Sequence, residues 1–247
     1  MDLGIQGRSA LVCGASAGLG HACALALGQE GVALTIVSRR HEAIDAAAAQ
    51  IALATGVRCT AIAADLSTEH GRAEVLTAAR DVDILVTNAG GPPSMNFTEL
   101  STAHWQKALD TNLIPAVELI RAIAPGMAAR GFGRIVNITS VTVRTPVERL
   151  DLSTSTRMAL TGYVAGVARQ LARHNVTINN LLPGTILTER LEQLGDVARK
   201  LIEKVPAGRA GTPQEFASAC AYLCGATAGF ITGQSLLIDG GLAPITV

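Results

Sequence analysis

The sequence predicts an α/β protein: a single domain on one doubly wound, mostly parallel sheet of about seven strands, with helices on both faces. Seven short β-rich runs recur, at 10–13, 32–37, 57–63, 83–87, 134–139, 176–182 and 235–239. They are apolar on both faces, as strands of a covered parallel sheet are. Helix-like stretches lie between them, and strand alternating with helix implies right-handed crossovers.

Composition sets the outer limits. The 247 residues contain no Pro/Gly/Ser-rich linker, charge run or repeat, so one domain over 1–247 is expected. With 49% apolar residues and a formal charge of zero, the chain fills a large core. It offers no long-range attraction to nucleic acid or an anionic membrane, which leaves a small molecule or another copy of itself as partner. The N-terminus lacks a basic segment followed by an apolar one, and no apolar run reaches bilayer length; a soluble, cytoplasmic protein is expected. Of five cysteines only Cys220 and Cys224 stand at helical spacing, without the partners that zinc needs. No metal is expected, and the thiols are read as buried and reduced.

Ligands of such sheets bind beyond the carboxyl ends of the strands. The first strand, "ALVC", ends in a Gly-x-x-x-Gly-x-Gly turn made by Gly14, Gly18 and Gly20, with Ser16 and Leu19 between them. Glycines there let the backbone approach a pyrophosphate, and the following helix supplies N–H donors. The second strand, "VALTIV", ends in Ser38-Arg39-Arg40, where the adenosine ribose of a dinucleotide lies. An acidic residue would take the ribose hydroxyls, whereas arginine matches a 2′-phosphate, so NADP(H) is expected over NAD(H). A helix former at 42–56 follows.

The third strand ends in Asp65-Leu66, Asp65 facing either an adenine or the backbone of a helix start. The fourth ends in Asn88-Ala89-Gly90-Gly91, small residues that leave room for a cofactor or make a turn. One helix-like stretch covers 105–131, and the fifth strand, "RIVNIT", runs into Ser140. The segment 150–166 crowds hydroxyl residues ahead of Arg157 before a helical pattern. The sixth strand leads into Pro183-Gly184-Thr185, a helical cover at about 185–211, a helix over 213–225 and the last strand.

With these strand ends in place, the chain resembles the short-chain dehydrogenase/reductase family along nearly its whole length. "CGASAGLG" is similar to the family's Thr-Gly-x-x-x-Gly-x-Gly turn, with Cys13 for threonine, and "TNAG" to its Asn-Asn-Ala-Gly. "LLPGTILT" resembles the segment that meets the nicotinamide, and 208–241 the C-terminal portion of the β-ketoacyl carrier-protein reductase-like branch. The resemblance implies a Rossmann-type fold and a cofactor site over Gly14, Ser16, Gly18, Leu19, Gly20, Ser38, Arg39, Arg40, Asp65, Leu66, Asn88, Ala89, Gly90, Pro183, Gly184 and Thr185. It also implies a homotetramer, or a homodimer, and a small carbonyl or alcohol substrate.

The family works with an Asn, a Ser and a Tyr-x-x-x-Lys pair. Asn112 and Ser140 match the first two, but alignment of "RMALTG" puts Ser153 at the tyrosine and Arg157 at the lysine. A register one residue earlier offers Leu152 and Thr156, and neither supplies the pair. An aliphatic hydroxyl is too weak an acid to replace a phenol of pKa about 10. Arg157 stays charged, yet its fork of donors suits a carboxylate, a phosphate or an oxyanion. At i and i+4, Ser153 and Arg157 share one helix face and with Ser140 are expected to polarise an oxygen. Glu148, Asp151 and His104 are weighed as substitute acids against plain loop, surface or capping roles.

The sequence thus predicts an NADP(H)-dependent oxidoreductase interconverting a ketone and a secondary alcohol, 3-oxoacyl reductase-like, with atypical proton delivery. The alternatives are a redox-inactive NADP(H)-binding sensor or oligomer partner, and a non-redox enzyme with Arg157 as anion clamp. Halohydrin dehalogenases also carry an arginine at the lysine position, but they dropped the nucleotide and kept the tyrosine, the reverse of this chain.

Overall fold

The computed structural model describes residues 1–245. Seven parallel strands form one sheet: β1 (Ser9–Cys13), β2 (Ala33–Ser38), β3 (Cys59–Ala63), β4 (Ile84–Thr87), β5 (Gly133–Ile138), β6 (Val176–Pro183) and β7 (Ser235–Ile238). Their order is β3-β2-β1-β4-β5-β6-β7, so the direction of winding reverses between β1 and β4, the switch point where such sheets open a crevice. Leu11 pairs with Thr35 on one side and Leu85 on the other, and Thr87 with Asn137 across β4 and β5.

Alternate residues of each strand feed two cores. Ala10 and Val12 pack with Leu27 of α1 (Gly18–Gln29), Ile44 and Ile51 of α2 (His41–Thr55), and Phe216 of α9 (Pro213–Cys224). Leu11 and Cys13 face the other way. They meet Val75 of α3 (Glu69–Ala79), Leu119 and Ile123 of α5 (Ile114–Ala129), and Leu160 and Val164 of α6 (Asp151–Leu171). The cover between β6 and α9 consists of two short helices, α7 (Glu189–Glu192) and α8 (Asp196–Glu203), joined through Gly195.

Three expectations are modified. The helix expected over 105–131 is two, α4 (Thr102–Asn112) and α5, broken at Leu113. Pro115 has no N–H with which to continue the ladder to Thr111, so a new helix starts there, and Asn112 comes to rest at the break. The apolar-on-both-faces pattern holds for the central strands but fades in β3 and β7, each with one strand neighbour, one exposed residue and most of the rest half-buried. Leu236 of β7 is exposed. All five cysteines are free thiols, four of them buried and Cys59 half-buried. No helix among the described residues is long and apolar enough to cross a membrane, and none of their side chains cluster as a metal site.

At the end of the sheet opposite the crevice, Arg134 is the largest fully buried side chain. Its Nε donates to the Gly225 carbonyl at 3.0 Å, Nη1 to those of Gly133 and Asn175 at 2.9 Å, and Nη2 to that of Ala226 at 3.2 Å. The guanidinium lies 4.4 Å from the centre of the Phe132 ring. It ties β5 to the ends of α6 and α9. Arg134→Ala is expected to destabilise the protein by about 3 kcal/mol or more, since several buried acceptors lose their donor at once. Urea denaturation checks this, and a loss within error of zero would contradict the assignment.

Candidate active site

The crevice at the switch point is closed by contacts between β1 and β4. Asn88 Nδ2 donates to the Gly14 carbonyl at 3.2 Å. Gly14 takes φ +60°, and a Cβ on Gly20 would run into that same carbonyl, so the turn tolerates no side chain at either position. α1 begins at Ala17 without a side-chain cap and without an acidic residue in its first turn; α5 shares both features, but only α1 opens from the glycine turn at the switch point. Its first amides are therefore left for an anion. Ser16 and Leu19 are half-buried in the same turn.

At the end of β2 the Ser38 hydroxyl is buried and has no hydrogen-bond partner among the described residues. Arg39 and Arg40 beside it are exposed. Arg39 is close enough to act on Asp65: burial raises the pKa of that carboxyl, but hydrogen bonds from Ser67 and the charge of Arg39 outweigh it and lower the value. Asp65 Oδ1 accepts from the Ser67 N–H at 2.9 Å, which orders the turn before α3, while Thr68 is the cap itself. Pro183, Gly184 and Thr185 leave β6 alongside β7, where the Gly184 N–H bonds the Ile238 carbonyl. An uncapped helix start behind a closed glycine turn, and an orphaned hydroxyl next to two arginines, fit a phosphorylated dinucleotide.

The other half of the site belongs to α6. Arg157 is buried, and its Nε donates to Ser153 Oγ at 3.2 Å. Its Nη1 donates to the carbonyls of Ile138 and Thr139, at 3.0 and 2.7 Å, and Nη2 to that of Ala89 at 3.3 Å. A guanidinium has five N–H bonds, so this set leaves one unspent. Among the described residues no carboxylate pairs with it. Burial, and secondarily the charge of Arg190, push the Arg157 pKa down to about 10, which leaves it charged at neutral pH. The fork that the sequence offered to an external anion is thus turned onto the ends of β4 and β5.

Ser153 is buried against Arg157. Thr156, the lysine position of the earlier register, bonds back to the Leu152 carbonyl at 2.8 Å, and Leu152 is in the core. Ser140 Oγ accepts from the Thr142 N–H at 3.1 Å and makes no hydrogen bond to Ser153 or Arg157. Asn112 is buried; its Nδ2 bonds Thr111 and the Ala108 carbonyl, and its Oδ1 has no partner among the described residues. Asn112, Leu66, Asn88, Ala89 and Arg157 line a cavity of about 20 Å³. Glu148 and Asp151 are exposed, with no hydrogen bond to any of these groups. His104 completes the cap of α4, its Nδ1 taking the Ser101 N–H at 3.2 Å. Sequence reasoning passed over Arg190 on α7, whose guanidinium lies against Gly91.

A doubly wound parallel sheet with a tight glycine turn at its switch point defines a Rossmann-type dinucleotide-binding protein. The family model described as enoyl-(acyl carrier protein) reductase matches residues 14–243. Nodulation protein G of Rhizobium sp. (strain N33) is 35% identical over 246 residues, covering 98% of this chain and 99% of that protein. The 3-oxoacyl-[acyl-carrier-protein] reductase of Aquifex aeolicus (strain VF5) is 32% identical over 248 residues, covering 98% and 100%. Among solved structures, L-sorbose reductase from Gluconobacter frateurii, complexed with NADPH and L-sorbose, superposes with a TM-score of 0.93 at 28% identity over the whole of both chains. The chain belongs to the short-chain dehydrogenase/reductase family, whose members are oxidoreductases. The names differ in the bond reduced, a C=C in one and a C=O in others, so the kinship carries the family and leaves the substrate open.

Two variants separate the halves of the site. Gly20→Ala is expected to abolish dinucleotide binding in a calorimetric titration, because the added methyl group forces the turn open. Arg157→Met is expected to cost on the order of 3 kcal/mol of stability, since carbonyls at the ends of β4 and β5 lose their donor. Thermal unfolding reads it directly, and an unchanged midpoint would remove the brace.

Proposed function

We propose that the protein is an NADP(H)-dependent oxidoreductase interconverting a small ketone and a secondary alcohol, with proton delivery that does not use a phenol and an ammonium. The observation that carries this reading is the closed Gly14–Gly20–Asn88 turn beneath an uncapped α1. The orphaned Ser38 hydroxyl beside Arg39 and Arg40 supports the 2′-phosphate, and the relatives named as oxoacyl and sorbose reductases support the carbonyl.

When bound, a nicotinamide would supply or accept the hydride. Gly14, Ser16, Gly18, Leu19 and Gly20 would hold the pyrophosphate; Ser38, Arg39, Arg40, Asp65 and Leu66 the adenosine half; Asn88, Ala89, Gly90, Pro183, Gly184 and Thr185 the nicotinamide half. Ser140 and Ser153 each accept a hydrogen bond through oxygen, which leaves each O–H to donate toward a carbonyl oxygen. Arg157 adds positive charge behind them, and Asn112 would keep α4 in register with α6. With no phenol at hand, the proton comes from water at the mouth of the crevice, under the 185–211 cover. The reading includes a homotetramer or homodimer built through the long helices and β7.

Ser153 and Arg157 are closed on each other and on the backbone, which favours a second reading, a redox-inactive NADP(H)-binding protein. NADPH oxidation across ketones, aldehydes and β-keto thioesters decides between the two. Turnover slower by about 10²–10⁴-fold than that of relatives with the tyrosine supports the first, that being what general acid catalysis contributes. No turnover, with NADPH bound, leaves the second.

NADPH should bind more tightly than NADH, and Arg39→Asp should cost NADPH selectively about 1.5–3 kcal/mol, the range of a charge-assisted hydrogen bond. Equal calorimetric affinities in the parent protein would refute the 2′-phosphate assignment. Ser153→Tyr with Arg157→Lys should raise reduction of a simple β-keto ester beyond the product of the single changes, because phenol and ammonium act as a unit. Purely multiplicative effects, with the fold intact, would place the proton donor elsewhere.

A further inference from the structure

α7 presents two different faces. Glu189 and Glu192, at i and i+3, turn with Thr188 toward a groove of about 430 Å³ that also contains His21 and Gln214. Arg190 points the other way. Its Nη1 and Nη2 lie 3.2 and 3.4 Å from where a Cβ of Gly91 would be. Gly91 has no positive φ, so the backbone itself does not call for glycine there. Its missing side chain lets the guanidinium lie flat on the chain just past Ala89 and Gly90.

The charge of Arg190 is felt at Arg157, which has no carboxylate partner among the described residues. Among the described residues Arg190 makes no ion pair and no side-chain hydrogen bond, although two glutamates share its short helix. An arginine with free donors thus stands at the mouth of the crevice, over the end of β4 and facing a second, buried cation. The phosphate cradle is at Gly14–Gly20, where the Thr188 methyl lies 3.8 Å from where a Cβ of Gly18 would be. The fork that is free for an external anion is that of Arg190, since that of Arg157 is spent on carbonyls.

We infer that Arg190 is a specificity-determining residue, and that the substrate is an oxo compound bearing an anionic group, a carboxylate or a phosphate, a few bonds from the reacting carbonyl. Bound there, the anion takes the free N–H groups of Arg190 in bidentate fashion and offsets the repulsion between the two arginines. This rests on the oxidoreductase reading above, in that the same crevice takes cofactor and substrate.

The test is equilibrium binding to the NADP⁺-saturated protein, in which a ketone is not turned over. Two pairs of probes are used: acetoacetate against methyl acetoacetate, and dihydroxyacetone phosphate against dihydroxyacetone. At least one anion is expected to bind roughly tenfold or more tightly than its neutral counterpart, and Arg190→Gln should remove that advantage, with Arg190→Lys retaining part of it. Gly91→Ala should weaken the same anion by displacing the guanidinium. Affinity for NADP⁺ and for the neutral probes should stay within about twofold in each variant. Equal binding of both members of both pairs to the parent protein overturns the inference. So does a loss of NADP⁺ affinity in Arg190→Gln as large as the loss for the anion, which would assign the guanidinium to the pyrophosphate. If the parent protein binds no NADP⁺, the oxidoreductase reading fails by itself, and the same pairs titrated on the free protein still decide the role of Arg190.

Discussion

The buried guanidinium of Arg157 is the constraint on which the site is built. An ion taken out of water is costly unless its hydrogen bonds are met, and here four N–H bonds are met by three backbone carbonyls and one serine rather than by a counter-charge. The carbonyls come from the ends of β4 and β5, and the guanidinium from α6. Moving any one of the three leaves a buried donor or acceptor unpaired, so their relative placement is fixed. The residue pair that the family uses for proton transfer is replaced by a pair that serves as a brace.

This brace is coupled to the cofactor turn through two adjacent residues. Asn88 holds the Gly14 carbonyl by its side chain, and Ala89 gives its own carbonyl to Arg157. The stretch after β4 is held from both sides. The cavity of about 20 Å³ beneath it is wide enough for a single water, and both the unpartnered Asn112 Oδ1 and Arg157 line it. Most of its lining is apolar, and a pocket of that size gives the remaining N–H of Arg157 and the amide oxygen of Asn112 a way to be satisfied together.

The strands and the switch-point turn were legible in the sequence because they depend on local pattern: runs apolar on both faces, and glycines between a strand and a helix. The break at Leu113 was less visible, since apolar periodicity runs straight through it and only the missing N–H of Pro115 interrupts the ladder. Arg134 read as a polar residue at the start of a strand, yet it is fully buried, its partners lying more than forty residues away at Asn175 and Gly225. The spacing of Ser153 and Arg157 placed them on one helix face, as found. The direction of Arg157's other donors was not readable, because the Ile138, Thr139 and Ala89 carbonyls become its neighbours only when the sheet closes. Arg190 gave no signal either, since "TER" reads as an ordinary helix start until Gly91 is brought beneath it.

The electrostatics of the site follow from these placements. Arg157 and Arg190 are like charges, and that of Arg190 adds to burial in lowering the Arg157 pKa. Under the proposed hydride transfer, negative charge develops on the carbonyl oxygen as the hydride arrives. A site already positive stabilises that charge without reorganising, whether or not a proton moves in the same step. A phenol and an ammonium lower the barrier by delivering a proton as the alkoxide forms; on the proposed reading the Ser140 and Ser153 hydroxyls would hold the alkoxide, with the charge of Arg157 behind them, until water delivers one. On the proposed reading, serine and arginine in place of tyrosine and lysine would shift the burden of catalysis from proton transfer toward charge stabilisation, while the nucleotide end of the crevice, at Gly14, Gly20 and Asn88, keeps its closed turn.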